Sequence, residues 1–350
     1  MPAGALALVA TVSLRTVIPL RDFLQRYLKR EHRFSVSTVS GAESWGYFLE
    51  FHIPYYAVRS GPTVLDRRKL GSKPLRTYDE LPLKSFSSDG ETLYFYQAQT
   101  SSLCLGPDEW FWTEYFLVDT YFGSERGLHK YFDDCKYGEG FDPPLGGQGK
   151  LTNARYDPRE YWLMKVNRRM AQATREWFAL VDAFDERMKS YRNTIAGLSG
   201  DDVDKTHTKT LGCLIAKIQL FAGCIGGTID AWRELYETKH PYFTTFGKPE
   251  WQVFLDRIDQ NVVELSRLRR LLLARQDRFE SRLRHYVAFP LLFSTALFSV
   301  NFIQPAHPIP WFLATLVMTS LLNYMLASHR IPFRRHLRRR LGGSANLSPV

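Results

Sequence analysis

The chain is 350 residues long and carries 46 Lys and Arg against 36 Asp and Glu, a net charge of +10 at a mean hydropathy of −0.27. That length allows two domains and a sizeable core. The charge does not point to nucleic acid: Leu265–Arg284 sums to +5 and His329–Val350 to +6, leaving −1 for everything else, so no nucleic-acid partner is expected.

The first elements lie in a mixed region. The apolar run AGALALVATVSL lacks a basic segment before it and meets Arg15 early, so it reads as a buried element and not as a signal peptide. Over residues 1–150, short apolar and aromatic runs alternate with Gly, Pro and Ser, which predicts strands and loops with a few helices. Trp45–Val58 and Thr92–Leu105 are the strongest strand candidates. The loop ending GGQGK puts Pro144 and Leu151 where a phosphate-binding loop needs Gly and Ser or Thr, which removes that motif. Cys104, Cys135, Cys213 and Cys224 are scattered, with no CxxC pair and no histidine at ligand spacing, so free thiols are expected.

From Asp157 the period changes. Asp157-Pro158-Arg159-Glu160 is a helix start, with Asp as the cap, Pro in the first turn and Glu three residues on. Leu163, Val166, Met170, Ala173, Trp177, Leu180 and Phe184 follow at helical steps. A second helix is predicted over Thr208–Glu237, with the stripe Leu211, Ile215, Ile218, Phe221, Ile225, Ile229 and Trp232. Cys213 and Cys224 would sit three turns apart on it, too far to bridge. The third segment repeats strictly every seven residues, at Trp251, Ile258, Leu265, Leu272, Phe279 and Tyr286. Such a seam signals supercoiled packing, against the two preceding helices or against another subunit. The helix runs on without Gly or Pro into an apolar run.

No Asp, Glu, Lys or Arg lies between His285 and His329, where two apolar runs, Val287–Ile303 and Ile309–Ser328, flank a short turn. A bilayer crossing takes about 20 residues. The alternative is a buried helical hairpin of a soluble protein, but arginines on both outer flanks and none in the turn favour a transmembrane hairpin with cytoplasmic termini. Tyr286, Trp311 and Tyr324 are candidate interface anchors. The predicted fold class is thus α+β: a mixed α/β cytosolic domain over 1–150, a helical region over 151–248, a stalk helix continuing into the first span over 249–303, an external turn at 304–308, a second span at 309–328 and a basic tail at 329–350.

This architecture, with Phe289-Pro290-Leu291 and then Leu297-Phe298-Ser299-Val300-Asn301-Phe302, resembles the CorA-type magnesium transporters, whose first span has a proline near its start and closes on Gly-Met-Asn, usually followed by Phe. The spacing from Pro290 to Asn301 matches; Ser299 and Val300 replace Gly and Met. Tyr94–Glu125 and Asp157–Val181 are similar to stretches of fungal CorA-like membrane proteins. The resemblance implies a homo-oligomer, five subunits in the family, passing Mg²⁺ or another divalent cation through the bilayer without a resident cofactor. Its implied ion-contacting residue is Asn301, with Ser299 and Val300 beside it in the signature; Phe302 continues the match.

The chemistry is specific. Mg²⁺ sheds its waters reluctantly, so a ring of amide oxygens that holds the hydrated ion can select it. On spacing alone Asn301 reads equally as such a ring and as a helix cap, roles that are compatible, and the eleven-residue step from Pro290 favours the ring. Ser294, two turns earlier on the same face, is a further pore-lining candidate or a hydroxyl bonded to its own backbone. The altered signature leaves a second reading, a non-conducting membrane-anchored scaffold or sensor. No nucleophile, base and metal constellation marks an enzyme.

Overall fold

The computed structural model describes residues 12, 14–41, 44–83, 92–108, 110–122, 144–145, 156–195, 205–244 and 248–299, the last fifteen of them as backbone only. The chain divides into two compact units, Met1–Leu198 with Lys209–Glu280, and Ser199–Thr208 with Ser281–Val350. The packing described here belongs to the first. Its class is α+β.

The elements in order are α1 (Leu14–Lys29), β1 (Arg33–Gly41), β2 (Ser44–Ser60), β3 (Lys69–Leu70), β4 (Lys73–Pro74), β5 (Tyr78–Glu80), β6 (Leu93–Gly106), β7 (Thr113–Val118), α2 (Pro158–Ile195), α3 (Thr206–Thr244) and α4 (Pro249–Ser299). The two expected strands are the long central pair: β2 and β6 run antiparallel from Tyr47 opposite Gly106 to Ser60 opposite Leu93. β1 extends the sheet beyond β2, while β5 and β7 pair with successive parts of β6.

Alternation along β2 sorts its side chains onto two faces. Leu49, Phe51 and Ile53 point one way, with Thr100, Ser102 and Cys104 of β6 beside them in register. This face is covered by α2 and α3. The Trp162 ring meets Phe51 at 6.3 Å, the Arg169 guanidinium lies 4.8 Å from the Phe116 ring centre, and Trp232 of α3 meets Phe34 edge-on at 5.4 Å. Glu50 and His52 point to the opposite face, where α1 lies: Phe23 packs on His52 at 5.1 Å, and Leu20, Phe23 and Leu24 cluster with Leu103. Val12, at the end of the apolar N-terminal run, packs against that cluster; the rest of the run before it is outside the described residues.

Helix α1 ends through Arg30, which takes a left-handed φ of 61° while Glu31 N–H donates to the Arg26 carbonyl at 3.1 Å. A long side chain in that conformation is uncommon. Here the guanidinium holds it in place, donating to the Tyr55 carbonyl and stacking 4.2 Å over the Tyr56 ring. At the start of α2, Asp157 accepts from the Arg159 backbone N–H at 2.9 Å, the expected cap.

The stripe predicted for α2 is buried throughout, from Leu163 to Phe184. On α3 the buried positions include Leu211, Ile218, Phe221, Ile225, Ile229 and Trp232, whereas Ile215 is half-buried and Leu214 takes the core position beside it. Gly227 is required on α3, because a Cβ there would stand 2.6 Å from the His32 ring. On α4, the seven-residue seam from Trp251 to Phe279 is at most 4% exposed within the single chain. Its partners are in the same molecule, so the seam by itself calls for no second subunit. Of the cysteines, Cys104, Cys213 and Cys224 are free, and Cys135 lies outside the described residues.

Candidate functional site

The residues nominated by sequence stand at or beyond the end of α4. Pro290 and Ser294 fall inside its bounds and Ser299 is its last residue; Val300, Asn301, Phe302 and Trp311 lie outside the described residues. Among the described residues, no group of three or more His, Cys, Asp or Glu side chains is placed to hold a metal ion. Acids on α4 have polar partners: Asp259 accepts from Trp232 Nε1 at 2.7 Å, Asp256 from Gln252 Nε2 at 2.7 Å, Glu264 from Arg267 at 2.6 Å and Glu280 from Gln276 Nε2 at 2.8 Å.

The sheet face under α1 carries a buried polar network that sequence reading did not anticipate. Arg26 Nη1 donates to both oxygens of Glu50 at 2.8 Å, and Glu50 Oε1 lies 2.8 Å from His52 Nε2. His52 Nδ1 meets Ser101 Oγ at 2.7 Å, and Gln99 Nε2 donates to both of those atoms at 3.1 and 3.0 Å. From Gln99 the chain continues through Arg76, which donates to Gln99 Oε1 at 3.3 Å and to Asp119 Oδ2 at 2.7 Å. Asp119 also accepts from the Tyr27 hydroxyl and, at 2.8 Å, from Arg68, whose guanidinium closes on Asp66 at 2.7 Å. Three guanidiniums thus face three carboxylates, and buried charge is tolerated only with such pairing.

Ser101, His52 and Glu50 stand in the order of a nucleophile, a base and an orienting acid. Access decides against that use. Ser101 and His52 are both 0% exposed, Phe23 covers the imidazole, and Gln99 occupies the serine oxygen. The imidazole works as a bridge within the core. Burial lowers its affinity for a proton despite the neighbouring Glu50, so it stays neutral. Burial also opposes ionisation of Glu50, but His52 and Arg26 outweigh it and hold the carboxyl below the usual range.

The network reaches the surface at both ends: Glu50 pairs with the exposed Arg33 at 3.6 Å, and at the other end Arg68 is partly exposed. Asp66 and Arg68, with Val64, Leu65, Arg67, Val118, Thr120 and Tyr121, line an open cleft of about 260 Å³. Its floor is neutralised, because Arg68 is held by both Asp66 and Asp119. On the opposite sheet face Lys165 is 0% exposed; it donates to Ser102 Oγ at 3.0 Å and pairs with Glu114. Both arrangements pin helices to the sheet.

Helix α3 carries the membrane-like signal among the described residues. Thr206–Lys239 is long and apolar enough to cross a bilayer, with a mean hydropathy of 1.5 in an 18-residue window, 44% of which is buried. Its inner side is a packed surface. Phe221 touches four rings, those of Phe95, Tyr56, Phe184 and Trp177, at 5.1 to 6.1 Å. Cys224 Sγ donates to the Pro54 carbonyl at 3.7 Å, on the stretch of β2 that β1 does not reach. Sequence periodicity could find the buried stripe, but the polar network needed the register of β2 against β6 and the placement of α1. No protein-family model matches the chain, and no curated protein matches it.

Proposed function

We propose that the chain is an integral membrane protein of CorA-like architecture which, as an oligomer, passes a divalent cation such as Mg²⁺ across a bilayer. The observation that carries this reading is α4: one uninterrupted helix of 51 residues, with a core-packed seam in its first part, reaching Ser299 at the start of the Ser-Val-Asn sequence. In this reading the apolar run Val287–Ile303 is the first span, Ile309–Ser328 the second, both termini are cytoplasmic, and Asn301 supplies an amide oxygen to a ring around the hydrated ion. Subunits of two spans are too small to enclose a pore alone, so conduction requires several copies.

The altered signature favours a second reading, a membrane-anchored scaffold or sensor without conduction. Ser299 adds a side chain where the family has glycine, and β-branched Val300 stiffens the position of methionine. Flux measurements on the full chain separate the two. Asn301→Ala should abolish cation uptake into a transport-deficient cell while expression and assembly persist, and Ser299→Gly with Val300→Met should keep or raise it. Wild-type uptake equal to an empty-vector control, in a properly inserted protein, sinks conduction and leaves the scaffold.

A further inference from the structure

The last turns of α2 and the later part of α4 bring four cations together. Lys189, Arg192, Arg275 and Arg278 surround a small cavity whose other walls are Met188 and Phe279. One carboxylate serves this group: Asp185 accepts from Arg275 at 2.5 and 3.1 Å and pairs with Lys189 at 2.8 Å. Burial opposes ionisation of Asp185, yet these cations outweigh it and hold its carboxyl below the usual range. Arg192 and Arg278 are exposed and have no ion-pair or hydrogen-bond partner among the described residues. A single acid against four bases leaves a local charge of +3 on one concavity. Like charges held together repel, and an anion relieves that repulsion.

We propose that Arg192 and Arg278, backed by Lys189 and Arg275, form a binding site for a phosphate monoester. The cavity has only about 10 Å³ of room, space for one water, so the phosphate sits across its mouth where the two free guanidiniums are exposed. Guanidinium forks bind phosphate oxygens in pairs, and a monoester carries between one and two negative charges, a better match to a site of +3 than a carboxylate. Two sources supply this group: a free phosphate compound, or an anionic phospholipid headgroup. The lipid source rests on the membrane reading above, since α4 enters its uncharged stretch at His285, soon after Arg278. Phosphate recognition does not rest on it.

The test uses the full chain in detergent, with binding of short-chain phosphatidic acid, short-chain phosphatidylcholine and inorganic phosphate measured separately. Phosphatidic acid should bind and phosphatidylcholine should not. Arg192→Gln with Arg278→Gln should weaken binding at least tenfold without changing the circular dichroism, because neither side chain has a partner to lose. Arg257→Gln, elsewhere on α4, should leave it unchanged. Inorganic phosphate binding as tightly as phosphatidic acid assigns the site to free phosphate; phosphatidic acid binding much more tightly assigns it to lipid. Absence of binding by either, or binding indifferent to the double variant, overturns the proposal. A chain that stays in solution without detergent removes the membrane reading alone, because the phosphate arm can still be read.

Discussion

Helices α3 and α4 are neighbours of opposite character. α3 contains the stretch apolar enough to cross a membrane, while α4 carries seven arginines between Leu265 and Arg284. Yet α3 is fastened into the folded unit on several sides. Phe221 sits among four aromatic rings, Gly227 abuts His32, and Trp232 donates to Asp259 of α4. Much of the apolar character of α3 is met by protein contacts, and most of its outward positions are small or polar: Gly212, Cys213, Ala216, Gln219 and Gly223 are exposed, with Leu220, 42% exposed, the large apolar side chain among them. α4 divides its work along its length, with a buried seam from Trp251 to Phe279 followed by a sequence without charge from His285. Hydropathy measures a demand for burial, and either protein or lipid can meet it.

Removing a ring from α3 should produce the largest effect. Phe221 is fully buried, so Phe221→Ala should destabilise the protein by about 3–5 kcal/mol, read as a lower denaturation midpoint. A loss under about 1 kcal/mol would mean that α3 is not a core helix.

A smaller effect tests the close approach of His32 to Gly227 and Thr228. Burial, aided by Arg30, lowers the pKa of His32 to about 4 from 6.5. Between those values the unfolded chain binds a proton that the folded chain does not, so this group takes stability away as pH falls from 6.5 towards 4 and takes no more below that. His52, also lowered, acts in the same direction. Denaturation midpoints measured between pH 7 and pH 5, above the range where Glu50 and Asp185 titrate, should fall on acidification. His32→Gln should make that fall shallower. An unchanged slope would place His32 in water.

The least effect is expected on the outer side of α4. Val263 is 66% exposed, so Val263→Lys should change stability by no more than about 0.5 kcal/mol. A larger loss that grows with protein concentration would instead mark this face as a contact between copies of the chain.

The comparison also shows where sequence reading stops. The seven-residue seam and the stripe from Leu163 to Phe184 were legible because burial repeats with the helical period, and the β2–β6 pair because aromatic and β-branched runs of that length have few other uses. Alternating Leu49-Glu50-Phe51-His52 suggests one face in solvent. Arg26, Tyr27 and Phe23 of α1 cover that face instead, and their partners are distant in sequence. The cations around Asp185 escape notice for the same reason, since α2 and α4 supply two each. Asn301 and its neighbours carry the functional reading through resemblance and spacing, outside the described residues.

The most direct measurement asks which helix meets lipid. Cys213 is exposed on α3, and a second probe is made by Leu292→Cys in the uncharged run. Both are offered a membrane-impermeant maleimide in cells opened to their cytoplasmic side, with Cys213→Ser as the background. The account predicts rapid labelling that Cys213→Ser removes, and no added labelling at position 292 until detergent is supplied. Cys213 silent until detergent is added, with position 292 labelled from the start, would make α3 the span and contradict the assignment of α4.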